Sequence, residues 1–181
     1  SVVDALRNGR VAAFCGAGIS APSGIPLAGA LVEATLEVLE ATPEVDGSRT
    51  AVLGVSLGAL VGSAAFARDP RPRAAVFCLG GADFTDLVYR SEMTGPFLAK
   101  LGVSREELAA AWNGLDPLEL AGRVPRRPVL LVKGTESAPW LRAIIDALGR
   151  HYPRGTVLDL EGSHACHAER IDEFMAQLEK H

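Results

Sequence analysis

Leu53-Gly54-Val55-Ser56-Leu57-Gly58-Ala59-Leu60 decides how this chain is read. Thr50 to Gly54 leads in as a β-branched and apolar strand, and Ala59 to Arg68 leads out as a small-residue helix. The motif is G-x-S-x-G in the strand–turn–helix context that gives it meaning. Its glycines have a steric reason. A serine on so sharp a turn brings the residues two positions either side against the neighbouring strand and helix, where a Cβ would collide. The strained turn holds the Ser56 hydroxyl out at the carboxyl end of the sheet, as a nucleophile candidate. The N–H of Leu57, at the start of the helix, can then face a developing oxyanion.

Outward from this turn the chain alternates apolar strands with helices. Arg10 to Cys15 (RVAAFC) reads as a strand that breaks at Gly16-Ala17-Gly18-Ile19-Ser20. Leu27 to Ala41 reads as a helix with Leu31, Ala34, Leu36, Val38 and Leu39 at helical spacing. Beyond the motif helix, Asp69-Pro70-Arg71-Pro72 is a stop signal, and Arg73 to Leu79 is the next strand. Gly80-Gly81-Ala82-Asp83 ends it. Phe84 to Leu115 is a helical excursion in which Ser104-Arg105-Glu106-Glu107 fits a capping box. Val129 to Val132 and Thr156 to Leu160 are the last strands. Ala138 to Arg150 is the amphipathic helix between them, with Leu141, Ile144, Ile145 and Leu148 on one face. A final helix from about His167 carries Ile171, Phe174, Met175 and Leu178.

This pattern predicts a three-layer α/β sandwich with a mostly parallel sheet of about five strands, in one domain over 1–181. Every glycine-rich break follows a strand. All of them therefore fall on the carboxyl edge, where such sheets bind ligands.

The bulk numbers narrow the chemistry. A net charge of −4 with scattered basic residues leaves no nucleic-acid footprint. Arg123 and the Arg126-Arg127 pair are read as a solvated loop. No apolar run is long enough to span a bilayer, and no signal peptide is visible. The three cysteines, Cys15, Cys78 and Cys166, are expected as free thiols in a reducing, cytoplasmic compartment. No metal-ligand spacing is present. The chain starts at Ser1 rather than Met, as a processed or trimmed chain would.

From Glu37 to about Gly134 the chain resembles the α/β-hydrolase fold, especially its dienelactone-hydrolase and esterase-like branches. The run PEVDGSRTAVLGVSLGALVGSAAFARDPRPRAAVFCLGG carries the resemblance, followed by DPLELAGRVPRRPVLLVKG. From Ala138 on, helix, strand and the Gly162-Ser163-His164 loop look like the family's last strand and its histidine. The sheet would be a truncated version of that fold. The resemblance implies a serine hydrolase acting on a small carboxylic ester through an acyl-enzyme, with no cofactor. Ser56 would be the nucleophile and His164 the general base, in the family's chain order. His164 is preferred to His167, which falls in the last helix. The family's acid position holds Ser137, so Glu136 is the first choice of acid and Asp83 the alternative. Phe84, Tyr89, Met93, Phe97 and Trp112, within the excursion over 84–115, would cap the acyl pocket.

The opening GRVAAFCGAGISAPSGIP resembles the NAD-binding start of sirtuins, where glycine amides and a helix N-terminus cradle a dinucleotide. It continues Leu27-Ala28-Gly29 where sirtuins carry Asp-Phe-Arg, and no cysteine pairs make a zinc site. Three readings follow. In the first, the Gly16-Ala17-Gly18 loop neighbours Ser56, and Ala17 joins Leu57 in the oxyanion hole. In the second, Gly16, Gly18 and Ser20 hold a dinucleotide phosphate. In the third, the chain is a non-catalytic interaction domain whose open sheet edge supports a homodimer.

Overall fold

The computed structural model describes residues 28–43, 46–92, 94–113, 116–124 and 126–180. Helix α1 (Ala28–Ala41) comes first, and a 3-10 turn over Gly47–Arg49 feeds strand β1 (Ala51–Val55). Helix α2 (Leu57–Arg68) and strand β2 (Ala74–Cys78) follow. Three short helices make up most of the excursion: α3 (Phe84–Arg90), α4 (Gly95–Leu101) and α5 (Arg105–Ala111). Helix α6 (Pro117–Ala121) leads into strand β3 (Val129–Gly134), helix α7 (Pro139–His151) and strand β4 (Gly155–Leu160). Two helices close the chain, α8 (Cys166–Glu169) and α9 (Ile171–Leu178).

The four strands form one parallel sheet in the order β1-β2-β3-β4. Val55 stands opposite Cys78, Cys78 opposite Val132, and Val132 opposite Leu158. The expected α/β sheet is therefore present. Among the described residues it has four strands; the run Arg10–Cys15 lies outside them.

Strand side chains alternate between two apolar layers, as a period of two requires. Ala75, Phe77, Val129 and Leu131 pack on one face against Phe66, Val124, Ile145 and Leu148. Val76, Cys78, Leu130 and Val132 pack on the other with Leu160, Cys166, Phe174 and Leu178. Helices α2, α6 and α7 thus cover one face, and α8 and α9 the other. Truncating a buried aromatic such as Phe66 or Phe77 costs about 3–5 kcal/mol. These two rings meet edge to face at 6.2 Å between centroids.

Some faces turn out differently. Leu36 is buried, but Val38 is 64 % exposed, and Ile171 leaves the stripe of Phe174 and Leu178 for solvent. The final helix breaks at Arg170 instead of running on from His167. Of the three arginines read as a solvated loop, Arg123 and Arg126 are exposed. Arg127 is not. Its guanidinium donates to the carbonyls of Asp69 and Pro72, each at 2.8 Å, and to that of Phe66. It also stacks on the Phe66 ring, 3.9 Å from the centroid. Three carbonyls at the end of α2 and in the turn after it are satisfied by one planar cation, a task that a lysine could not repeat.

The excursion is closed at its base. The Asp116 carboxylate caps α6 by accepting from Leu118 N–H at 2.8 Å, and it also accepts from Asp83 N–H at 3.0 Å. Both halves of the capping box between Ser104 and Glu107 are formed. No helix among the described residues is long and apolar enough to cross a membrane.

Candidate active site

Ser56 sits alone between β1 and α2, with φ 51° and ψ −119°. A non-glycine residue in this region stores strain on the order of 1–3 kcal/mol and persists only where its surroundings impose it. The surroundings are on both sides. Ser56 N–H donates to the Cys78 carbonyl at 2.9 Å, which pins it to β2. Its own carbonyl accepts from Ala59 and Leu60 N–H at 2.9 and 3.3 Å, which starts the helix. A Cβ on Gly54 would come within 2.5 Å of Gly58 O and 2.7 Å of Ala59 Cα. Only glycine lets strand and helix approach this closely. The side chain of Ser56 is exposed and caps nothing. The N–H groups of Leu57 and Gly58 lead the helix, where no intrahelical acceptor exists for them. Helix α2 starts two residues before the expected Ala59, which puts Leu57 N–H at its first position.

His164 lies in the loop after β4 and is exposed. Strands β1 and β4 are three spacings apart, about 14 Å, and the loop leans back over the end of β3, which lies between them. Gly162 O accepts from Glu136 N–H at 2.9 Å, and Thr135 Oγ1 accepts from Gly162 N–H at 3.3 Å. A Cβ on Gly134 would stand 2.0 Å from the Ser163 carbonyl, so the loop lies directly over the end of β3. Cys166, two residues after His164, is buried in the cluster that holds Cys78 and Val55, beside the Ser56 turn.

The two acid candidates differ in their surroundings. Glu136 is exposed, and its backbone is hydrogen-bonded to the histidine loop. Asp83, half-buried at φ 55°, caps α3 with its carboxylate, which accepts from Asp86 N–H at 3.1 Å. Ser137 is buried, with no partner for its hydroxyl. The structure thus brings Glu136 and His164 into adjoining loops and sets Ser56 on the same edge. No hydrogen bond joins these three side chains among the described residues. Ala17, Gly16, Gly18 and Ser20 lie outside the described residues.

The electrostatics separate the remaining candidates. Burial pushes the Cys78 thiol up to about 12, and burial raises Cys166 as well, so both are kept as neutral thiols. Both are free and buried, as expected for Cys78; Cys15 lies outside the described residues. His167 is pushed down, first by burial and then by the neighbouring charge of His164, and its buried Nδ1 has no partner. No group of three metal-ligating side chains occurs among the described residues. A cavity of about 330 Å³ opens between α3, α6 and α7, lined by Asp83, Arg90, Leu118, Trp140 and Ile144. Neither Ser56 nor His164 lines it. In the excursion, Tyr89 donates its hydroxyl to Val103 O, and Phe97 is 60 % exposed, turned to solvent.

No protein-family model and no curated protein sequence matches the chain. Solved structures do. Acetyl xylan esterase from Paenibacillus sp. R4 superposes with a TM-score of 0.65 at 20 % identity, over 80 % of this chain and 50 % of that one. The fold is that of the α/β-hydrolases. A 2,6-dihydroxy-pseudo-oxynicotine hydrolase is similar with a TM-score of 0.59 at 18 % identity, over 78 % of this chain. Pyrococcus horikoshii acylaminoacyl peptidase gives 0.62 at 19 %, over 83 % of this chain. The chain spans 41 % and 26 % of the length of these last two, so it matches only part of each hydrolase.

One residue that sequence reasoning missed is Glu169. Its carboxylate accepts from Ser163 N–H at 2.8 Å and from the Ser163 hydroxyl. These bonds hold its carboxyl below the usual carboxylate range. The two residues are six apart, a spacing for which no helix or turn rule supplies a signal.

Proposed function

We propose that the chain is a serine hydrolase that cleaves a small carboxylic ester through an acyl-enzyme. The observation that carries this reading is Ser56 itself: exposed, strained at φ 51°, and locked by Gly54 against the first turn of α2. Backbone strain of this kind clusters at functional sites, and here it holds an exposed hydroxyl at the carboxyl edge of the sheet.

In the proposed reaction Ser56 Oγ attacks the ester carbonyl while His164 takes its proton. The tetrahedral oxyanion is held by Leu57 N–H; Ala17, the second donor expected from the sequence, lies outside the described residues. One such donor is worth about 10²–10³ in kcat. His164 returns the proton to the departing alcohol, and the acyl group remains on Ser56. A water, deprotonated by His164, then releases the acid. Glu136 orients the imidazole; Asp83 is the alternative, already committed to capping α3.

The test is hydrolysis of a short-chain chromogenic ester by the chain and by Ser56→Ala, with fluorophosphonate labelling read by mass on both. Turnover and label that disappear together in the variant support the reading. A folded wild-type chain with neither sinks it. An NAD titration followed by melting temperature then tests the dinucleotide reading.

A further inference from the structure

The loop that carries His164 is closed by one carboxylate. Glu169 reaches back from the end of α8 to Ser163 and accepts both its N–H, at 2.8 Å, and its hydroxyl. The Ser163 hydroxyl oxygen in turn accepts from Ala165 N–H at 3.0 Å. Ser163 O accepts from Cys166 N–H at 3.2 Å. The residues on both sides of His164 are therefore tied, directly or through Ser163, to Glu169, while His164 carries no such tie of its own. Gly162 makes the arrangement possible: a Cβ there would lie 2.3 Å from Glu169 Oε2, and its φ of 130° suits only glycine.

We propose that Glu169 is a positioning residue that fixes the backbone of the His164 loop, and through it the imidazole that Glu136 orients. The inference rests on the hydrolase reading for its catalytic consequence, but the positioning itself does not. A charge-assisted pair of hydrogen bonds fixes the Ser163 backbone, and with it the direction in which the His164 Cα–Cβ bond leaves the loop. An imidazole misplaced by an ångström loses rate by a factor of up to about 100. Glu169 touches no substrate and transfers no proton. Its effect falls on turnover and leaves substrate binding alone. Nearby, Arg170 pairs with Glu161 across the same loop, but it braces the strand end rather than the residues adjoining the histidine.

Glu169→Ala and Glu169→Gln are compared in the full chain with wild type. Two readouts are used: ester kinetics, and the His164 imidazole signals in NMR, assigned by loss in His164→Ala. The alanine variant is expected to lower kcat by about tenfold or more with KM unchanged, and to shift and broaden the His164 signals. Glutamine, which still accepts from Ser163 N–H, is expected to restore kcat to within about threefold of wild type. An alanine variant with unchanged kcat, or with KM and kcat altered alike and no rescue by glutamine, overturns the proposal. If wild type shows no Ser56-dependent turnover, the hydrolase reading fails by itself. The imidazole signals then decide alone, and His164 signals identical in wild type and Glu169→Ala overturn the positioning role. Should Glu169→Ala not fold, Ser163→Ala removes the hydroxyl half of the clamp and is held to the same kcat and imidazole readouts.

Discussion

The turn at Ser56 and the loop at His164 sit at the same end of one sheet, yet they are held by different forces. Ser56 is held by backbone hydrogen bonds to β2 and α2 and by Gly54 pressed against the helix. The His164 loop also has backbone bonds and lies close over Gly134, but it adds side chains near solvent: Thr135 on Gly162, and Glu169 on Ser163. Packing cannot be titrated, whereas a carboxylate can. The nucleophile's geometry should therefore survive conditions that loosen the base, and each prediction below tries that division.

The largest effect is expected at the nucleophile. Ser56→Ala should reduce ester turnover by about 10⁴-fold or more while leaving the melting temperature unchanged, as measured by calorimetry. Ser56→Gly should be equally inactive but more stable than the alanine variant, because glycine relieves the positive φ. Equal melting temperatures for the two would mean that the turn is not strained.

Next comes the packing side of the division. Gly54→Val should destabilise by about 3 kcal/mol or more in urea denaturation, because its Cβ alone would come within 2.5 Å of Gly58 O. Gly162→Ala, its counterpart in the histidine loop, should cost about 1–2 kcal/mol, from the strain at its φ of 130°, since the carboxylate in its way can swing into solvent. Reversed magnitudes would break the comparison outright.

The smallest effect sharpens it most. Glu169 has its carboxyl lowered by the Ser163 bonds, so the clamp is fully present above the ordinary glutamate range. It is lost as pH falls below that range and through the lowered value. Hydrogen-exchange protection at Ser163 N–H should decline there, while that at Ser56 N–H, bonded to the Cys78 carbonyl, should hold until global unfolding. Parallel loss at both amides would show that one force governs both.

How much of this was legible in the sequence follows the same line. The strands, the order of helices and the Ser56 turn rest on local pattern: alternating apolar residues, and glycines two either side of a serine. The end of β3 was harder. It runs on to Gly134 because Lys133 and Gly134 pair with Asp159 and Leu160 of β4, residues distant in sequence. Arg127 looked like one more charge in a basic loop, since nothing local foretells that Phe66, Asp69 and Pro72 will present their carbonyls to it. Asp83 shows the reverse case, a helix cap that local rules do anticipate. Glu169 was invisible because a six-residue hydrogen bond belongs to no repeating structure. Sequence reading already ranks Glu136 ahead of Asp83, and the structure adds that the Asp83 carboxylate caps α3.

Arg127 also sets an order of events during synthesis. A chain emerging from the ribosome completes β1, α2 and β2 well before residue 127 is made. Until then the Phe66, Asp69 and Pro72 carbonyls lack their guanidinium, and one face of the Phe66 ring lacks its cover. The amino end of the sheet can therefore close only after the whole excursion has left the tunnel. Until then the half-built protein carries its nucleophile turn on an unfinished base.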